Sequence, residues 1–276
     1  MIEKKRVLIT VTTYPLPSSK YQELVCTAGF TENGDWIRIY PVPLSALVEN
    51  RFRKYHWIEL ELEKRTSGRD FRPESYKPRR SDLSDMIVDP QKIGTANGWA
   101  KRKDICLKNQ VKEFEKLLTD AKNKKKATSL AVYKPKRFLD FVIEEDEKDW
   151  KEEWNADANQ KSLFEEFRKL GIKKVPYKFS YKFEDDAGKE RKMMIEDWEI
   201  GQLYWNCLKD SKGDELAALA KVRQKYWDEL VLEKDLYLFL GTTLTYHAMN
   251  APNPFVIIGL FYPPKPPTSP QLSLFT

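Results

Sequence analysis

The chain has 276 residues, 48 Lys and Arg against 42 Asp and Glu, and a formal charge of +6. Its 13% aromatic content is too high for a disordered chain, and its 3 Cys and 2 His exclude a disulfide scaffold and a multi-histidine metal centre. No apolar run approaches the roughly 18–20 residues of a bilayer span, and the apolar stretch Val7-Leu8-Ile9-Thr10-Val11 is too short and polar for a signal-peptide core, so a cytoplasmic protein with no membrane partner is expected.

Residues 6–13 are apolar and β-branched and read as a strand. Strands at 22–30 and 36–42 flank Asn33-Gly34, a two-residue hairpin signal. In 57–64, Ile58, Leu60 and Leu62 alternate with Glu59, Glu61 and Glu63, the pattern of a half-buried strand. Leu107, Val111, Phe114 and Leu118 recur at helical spacing and predict a helix over 103–121. Strands at 128–133 and 138–143 follow, split by Lys134-Pro135-Lys136. Ser162 and Glu165 form a capping box that starts a helix ending at Gly171. Residues 177–183 place Tyr177, Phe179, Tyr181 and Phe183 opposite Lys178, Ser180 and Lys182, and a turn leads to a strand at 192–198. A short helix at 200–208 precedes one capped by Asp214 and running to about residue 230. The nearly continuous apolar runs 236–243 and 255–262 read as strands in the middle of a sheet. Strands and helices mix without regular βαβ alternation. That predicts an α+β fold with a largely antiparallel sheet, curled or barrel-like, in a single body over 1–262.

Charge is segregated. Residues 64–80 carry Lys64, Arg65, Arg69, Arg72, Lys77, Arg79 and Arg80 against only Asp70 and Glu74, interleaved with Phe71 and Tyr76. Such a stretch suits phosphates and stacked bases, with the two acids organising the arginines. Lys124, Lys125 and Lys126 form a second basic cluster, and all of these basic residues are nucleic-acid-contact candidates. Residues 144–160 are acidic and read as a linker or insertion. The Ser18-Ser19-Lys20-Tyr21 loop has a hydroxyl-rich cationic tip suited to an anion.

Catalytic candidates are few. Asp197 and Glu199 lie two apart, so on a strand they would share a face and hold a metal such as Mg, as in a nuclease; the alternative is a helix cap with surface carboxylates. His247 lies in a polar loop between the two most hydrophobic strands. Glu190-Arg191-Lys192 has an acid-x-Lys spacing, but its partner acid, Asp185 or Asp186, lies across a tight turn. The sequence leaves open whether the protein is an enzyme, and if it is one, a nuclease or base-modifying activity is expected.

After the spacer Pro263-Pro264-Lys265-Pro266-Pro267-Thr268-Ser269-Pro270 the chain closes with Gln271-Leu272-Ser273-Leu274-Phe275-Thr276. In polyproline II the spacer reaches about 25 Å. The pentapeptide resembles the bacterial sliding-clamp-binding motif, Gln-Leu-(Ser or Asp)-Leu-Phe, of polymerases and repair factors. The resemblance implies that Gln271 hydrogen-bonds at the clamp surface, Leu272 enters one subsite, Leu274 and Phe275 fill the main pocket, and Ser273 bridges them. The body resembles, in general texture only, bacterial proteins of mobile or defence-associated neighbourhoods, which imply no activity.

Together these features lead to the expectation of a clamp-tethered DNA-binding protein acting in DNA processing, surveillance or defence. The alternatives are a non-enzymatic clamp adaptor or blocker, and a small-molecule or nucleotide enzyme whose tail docks on its own body.

Overall fold

The computed structural model describes residues 2–14, 24–43, 46, 49, 52–64, 70–148 and 173–266. The fold is α+β. Its first half is a closed barrel. Strands β1 (Ile2–Thr12), β2 (Leu24–Phe30), β3 (Trp36–Pro43), β4 (Trp57–Lys64) and β5 (Ser75–Pro78) run in the order β1-β2-β3-β5-β4, and a β1–β4 pairing closes the ring. A two-residue β6 (Ile87–Val88) extends β4.

Closure follows from β1. Its residues Ile2 to Leu8 pair with β4 and Leu8 to Thr12 pair with β2, with an irregularity between Ile9 and Val11 that turns the strand from one neighbour to the other. The alternation read in β4 holds: Ile58, Leu60 and Leu62 point into the barrel with Val7, Ile9, Ile37 and Ile39. The β3–β5 pair is parallel and the other barrel pairs are antiparallel. Gly29 sits where β2 crosses closest to β1; a Cβ there would lie 2.0 Å from the Leu8 carbonyl oxygen, so only glycine fits.

The second half holds two three-stranded antiparallel sheets. One has the order β10 (Glu190–Met194), β9 (Tyr177–Glu184), β8 (Arg137–Glu145); the other has β12 (Phe255–Phe261), β11 (Tyr237–Thr242), β7 (Leu130–Tyr133). Helices α1 (Ala96–Cys106), α2 (Phe114–Lys122), α3 (Trp198–Asp210), α4 (Glu215–Arg223) and α5 (Leu244–Ala248) surround them, and α4 continues into a π-helical segment, Gln224–Leu232. The aromatic face read in β9 is core: Phe179, Tyr181 and Phe183 pack with Phe141, Tyr204 and Tyr226.

The two halves share a third core. Val11, Ala28, Phe30 and Trp36 on the outer side of the barrel meet Leu130, Val132, Phe239 and Phe261. Phe239 lies edge-on to both Trp36 (5.4 Å) and Phe30 (5.7 Å). Burial of each such side chain contributes about 1.5–3 kcal/mol.

Three expectations change. The single helix at 103–121 is two helices, because Val111 bridges to Tyr133 in strand fashion and its N–H donates to Val132. The new helix α2 is then capped from a distance, the Phe114 N–H donating to Asp186. The strand at 192–198 ends at Met194, and Asp197 caps α3 instead. Of the two apolar strands near the C-terminus, β11 is central, while among the described residues β12 is flanked on its other side only by an isolated bridge between Ile257 and Ile195. The expected helix at 162–170 lies outside the described residues.

Candidate functional site

Two polar clusters and one cavity lie at the seam between barrel and second half. The first cluster is built from the basic stretch. Arg72 is buried, and its guanidinium donates twice to Asp70 (2.7 and 2.8 Å) and once to the Thr242 carbonyl (2.8 Å). Burial alone would raise the Asp70 pKa, but the Arg72 guanidinium and N–H hold it down to about 2. Arg38 projects from β3 away from the barrel interior and donates to Ser129 Oγ (2.6 Å) and to the Ser129 carbonyl (3.1 Å). Ser129 in turn donates its hydroxyl to Glu74 (2.7 Å). Asp70 and Glu74 therefore organise this stretch from within, and Arg72 has its donors turned inward rather than toward a phosphate.

His247 joins the same seam. Its Nε2–H donates to the Ala121 carbonyl (2.7 Å) and its Nδ1 accepts from the Thr242 hydroxyl (3.0 Å). Burial and the neighbouring arginines Arg72 and Arg38 lower its pKa, which keeps the ring neutral. Both ring nitrogens are engaged, so no nitrogen is left for a substrate. The Phe71 ring lies edge-on to it at 4.9 Å while remaining 48% exposed.

The second cluster is Lys54, Asp197 and Glu199. The Lys54 ammonium lies 3.0 and 3.1 Å from the Asp197 oxygens and 3.0 Å from Glu199. Asp197 is fully buried and accepts from the Glu199 N–H at the start of α3. Burial pushes its pKa up to about 6 against the pull of Lys54. Asp197 is the helix cap of the alternative reading, but it is buried rather than a surface carboxylate, and only Glu199 of the pair is exposed. Among the described residues, Asp197 and Glu199 share no hydrogen-bond partner with His247. Among the described residues no group of three or more His, Cys, Asp or Glu is arranged to hold a metal ion. Asp185 and Asp186 are likewise occupied: Asp185 takes Arg191 and the N–H groups of Ala187 and Lys189, and Asp186 caps α2.

The remaining basic candidates point outward. Lys77 pairs with Glu63 and Arg79 with Glu61 along the exposed side of β5 and β4, while Arg80 donates to Ser84. Lys124 and Lys125 are exposed after α2, and Lys126 pairs with Asp120. Arg65, Arg69, the loop 18–21 and the terminal peptide Gln271 to Phe275 lie outside the described residues.

The cavity, about 520 Å³, was not legible in the sequence. Segment 195–197 is threaded between the barrel and the second half: Thr13 bridges to Asp197, the Tyr14 N–H donates to the Glu196 carbonyl, and the Glu196 N–H donates to Ile257. This places Tyr14, the second residue past β1, against α3. There it stacks on Trp198 (5.5 Å), accepts from the Trp205 indole and donates its hydroxyl to the Lys173 carbonyl. Gly201 makes room for the ring; a Cβ there would lie 2.2 Å from it. Tyr14, Tyr177, Phe179 and Tyr246 line the cavity, and Glu196 faces it. Burial pushes the Glu196 pKa up to about 7. The only sequence hint was adjacency: Glu196 stands next to the candidate Asp197.

Residues 3–108 match a family described as Domain of unknown function (DUF8758), and residues 110–276 match one described as Domain of unknown function (DUF8757). No curated protein matches the chain.

Proposed function

The chain belongs to the DUF8757 family, and we propose that it is a bacterial DNA-binding protein tethered to the replication sliding clamp, acting in DNA processing, surveillance or defence against mobile elements. The observation that carries the reading is the complete Gln271-Leu272-Ser273-Leu274-Phe275 peptide behind a proline-rich spacer. The body supports it in two ways. The last described residues, Pro264, Lys265 and Pro266, are exposed. Five-stranded Greek-key barrels of the OB type bind oligonucleotides through the β2–β3 face and through the β1–β2 and β4–β5 loops. In this barrel the outer side of β2 and β3 is covered by Phe239 and Phe261. In the described part of the β4–β5 connection Phe71 is exposed, while Arg72 is turned inward.

Tethering would hold these loops beside duplex DNA at high effective concentration, so modest intrinsic DNA affinity suffices. The test is gel filtration with purified clamp, comparing the full chain with one ending at Pro270. The full chain is expected to co-elute and the shortened one to run alone; equal co-elution of both overturns the tether. DNA affinity should fall steeply with salt, and a flat response removes the basic loops from the reading.

A further inference from the structure

Among the side chains lining the cavity, Glu196 stands apart. Lys174 and Lys178 both turn to Asp146 (3.2 and 3.1 Å), and Asp197 is taken by Lys54. Glu196 is half-buried and its carboxyl makes no hydrogen bond or ion pair among the described residues. Its backbone is pinned at both ends, to Tyr14 and to Ile257, so the carboxyl is presented from a fixed position. Tyr14, Tyr177, Phe179 and Tyr246 are the aromatic residues of the cavity walls.

The chemistry of the occupant follows from these groups. An anion is disfavoured, because both lysines are already paired and the free group is an acid. A metal ion is disfavoured too, because among the described residues no group of three or more His, Cys, Asp or Glu is arranged to hold one, and burial pushes the Glu196 carboxyl toward its neutral form. A flat heteroaromatic ring with donors and acceptors on one edge fits: its faces stack on the tyrosines, and a carboxyl that both donates and accepts meets its edge. The volume, about 520 Å³, is within the roughly 300–1,000 Å³ of small-ligand sites.

The location agrees. Tyr14 opens the β1–β2 connection, and Tyr246 is next to His247, on which Phe71 of the β4–β5 connection rests. Tyr246 lines the cavity and is 55% exposed, so the rim carries unburied aromatic surface.

We propose that this cavity receives a nucleobase, stacked on Tyr246 and Tyr14 and read along its hydrogen-bonding edge by Glu196. The source of the base, an everted nucleotide of DNA held on the loops, rests on the function proposed above; the chemistry of the pocket does not. Eversion costs the stacking and pairing of one base, least at a mismatch, which gives the pocket a preference for damaged or mispaired positions.

The experiment uses the full chain and a duplex carrying 2-aminopurine at a mismatch. Anisotropy reports binding of the duplex, and 2-aminopurine fluorescence reports loss of stacking. The wild type is expected to raise the fluorescence several-fold. Tyr246→Ala, at an exposed position the fold tolerates, and Glu196→Gln, which keeps the side-chain shape, are expected to reduce capture of the base roughly tenfold while duplex affinity changes little. Binding without any fluorescence rise, or an equal rise in all three proteins, overturns the pocket and leaves the DNA-binding function standing. If no oligonucleotide binds but free nucleosides bind saturably and lose affinity in both variants, the nucleobase chemistry holds and DNA as its source is overturned. If neither oligonucleotide nor nucleoside binds, both are overturned.

Discussion

Glu196 shows how a side chain with no partner among the described residues becomes visible through its titration. Its pKa rises from 4.5 to about 7 on burial, so the folded protein holds this proton more tightly than the unfolded chain. Its contribution is therefore most favourable below about pH 4.5 and is lost as pH rises to about 7, above which the cost is constant. At about 1.36 kcal/mol per pKa unit, the cost at pH 8 is at most about 3 kcal/mol. Glu196→Gln should therefore be more stable than the wild type at pH 8, and the difference should vanish near pH 4, as measured by denaturant melts at both values. A gap independent of pH would mean the carboxyl is not desolvated. At this scale the sequence was partly informative. The Asp214 cap follows from local chemistry, and its side chain does accept from the Ala217 N–H. Lys54, which neutralises Asp197, sits in Arg53-Lys54-Tyr55-His56, where nothing local announces a partner 143 residues away.

Elements were legible where a strand buries one face. The alternation in β4 and in β9 fixed both strands within a residue of their ends. They were illegible where tertiary contacts overrule local preference. The helical spacing of Leu107, Val111, Phe114 and Leu118 is real, yet Val111 is drawn into a bridge with β7 and the helix breaks. Strand β5, Ser75–Pro78, contains a proline and four residues only, and it forms because the barrel needs a bridge between β3 and β4. Helix α3 carries a similar override, since Gly201 weakens a helix interior by about 1 kcal/mol relative to alanine. Alanine here is nonetheless expected to destabilise, because its methyl would displace the Tyr14 ring. Gly201→Ala should cost about 1–3 kcal/mol in chemical denaturation and abolish the Tyr14–Trp198 stacking. A stabilised Gly201→Ala variant would show that Tyr14 does not occupy that slot.

At the scale of the whole molecule, the barrel and the two sheets are joined by a core that neither half could bury alone. Cutting the chain near residue 109 would expose Phe30 and Trp36 on one piece and Phe239 and Phe261 on the other. The intact protein is therefore expected to unfold in a single cooperative transition, with tryptophan fluorescence and far-UV circular dichroism giving the same midpoint. Two separated transitions would show that the shared core is weak. The closure of the barrel was foreseen as a curl of the sheet, but its burial against a second half was not. Phe30 and Trp36 look like any strand residues until Phe239, some 200 positions later, arrives to cover them.

The way the chain departs from the body has a mechanical consequence. The Asp235 N–H donates to the Pro263 carbonyl, Lys234 bridges to Pro264, and the Lys265 ammonium reaches the Leu232 carbonyl. Tension applied beyond residue 266 would meet this fastening at the end of the π-helical segment before it reached β12. A tug from outside would strain these local bonds and spare the sheet, so the globule could be towed without being unravelled.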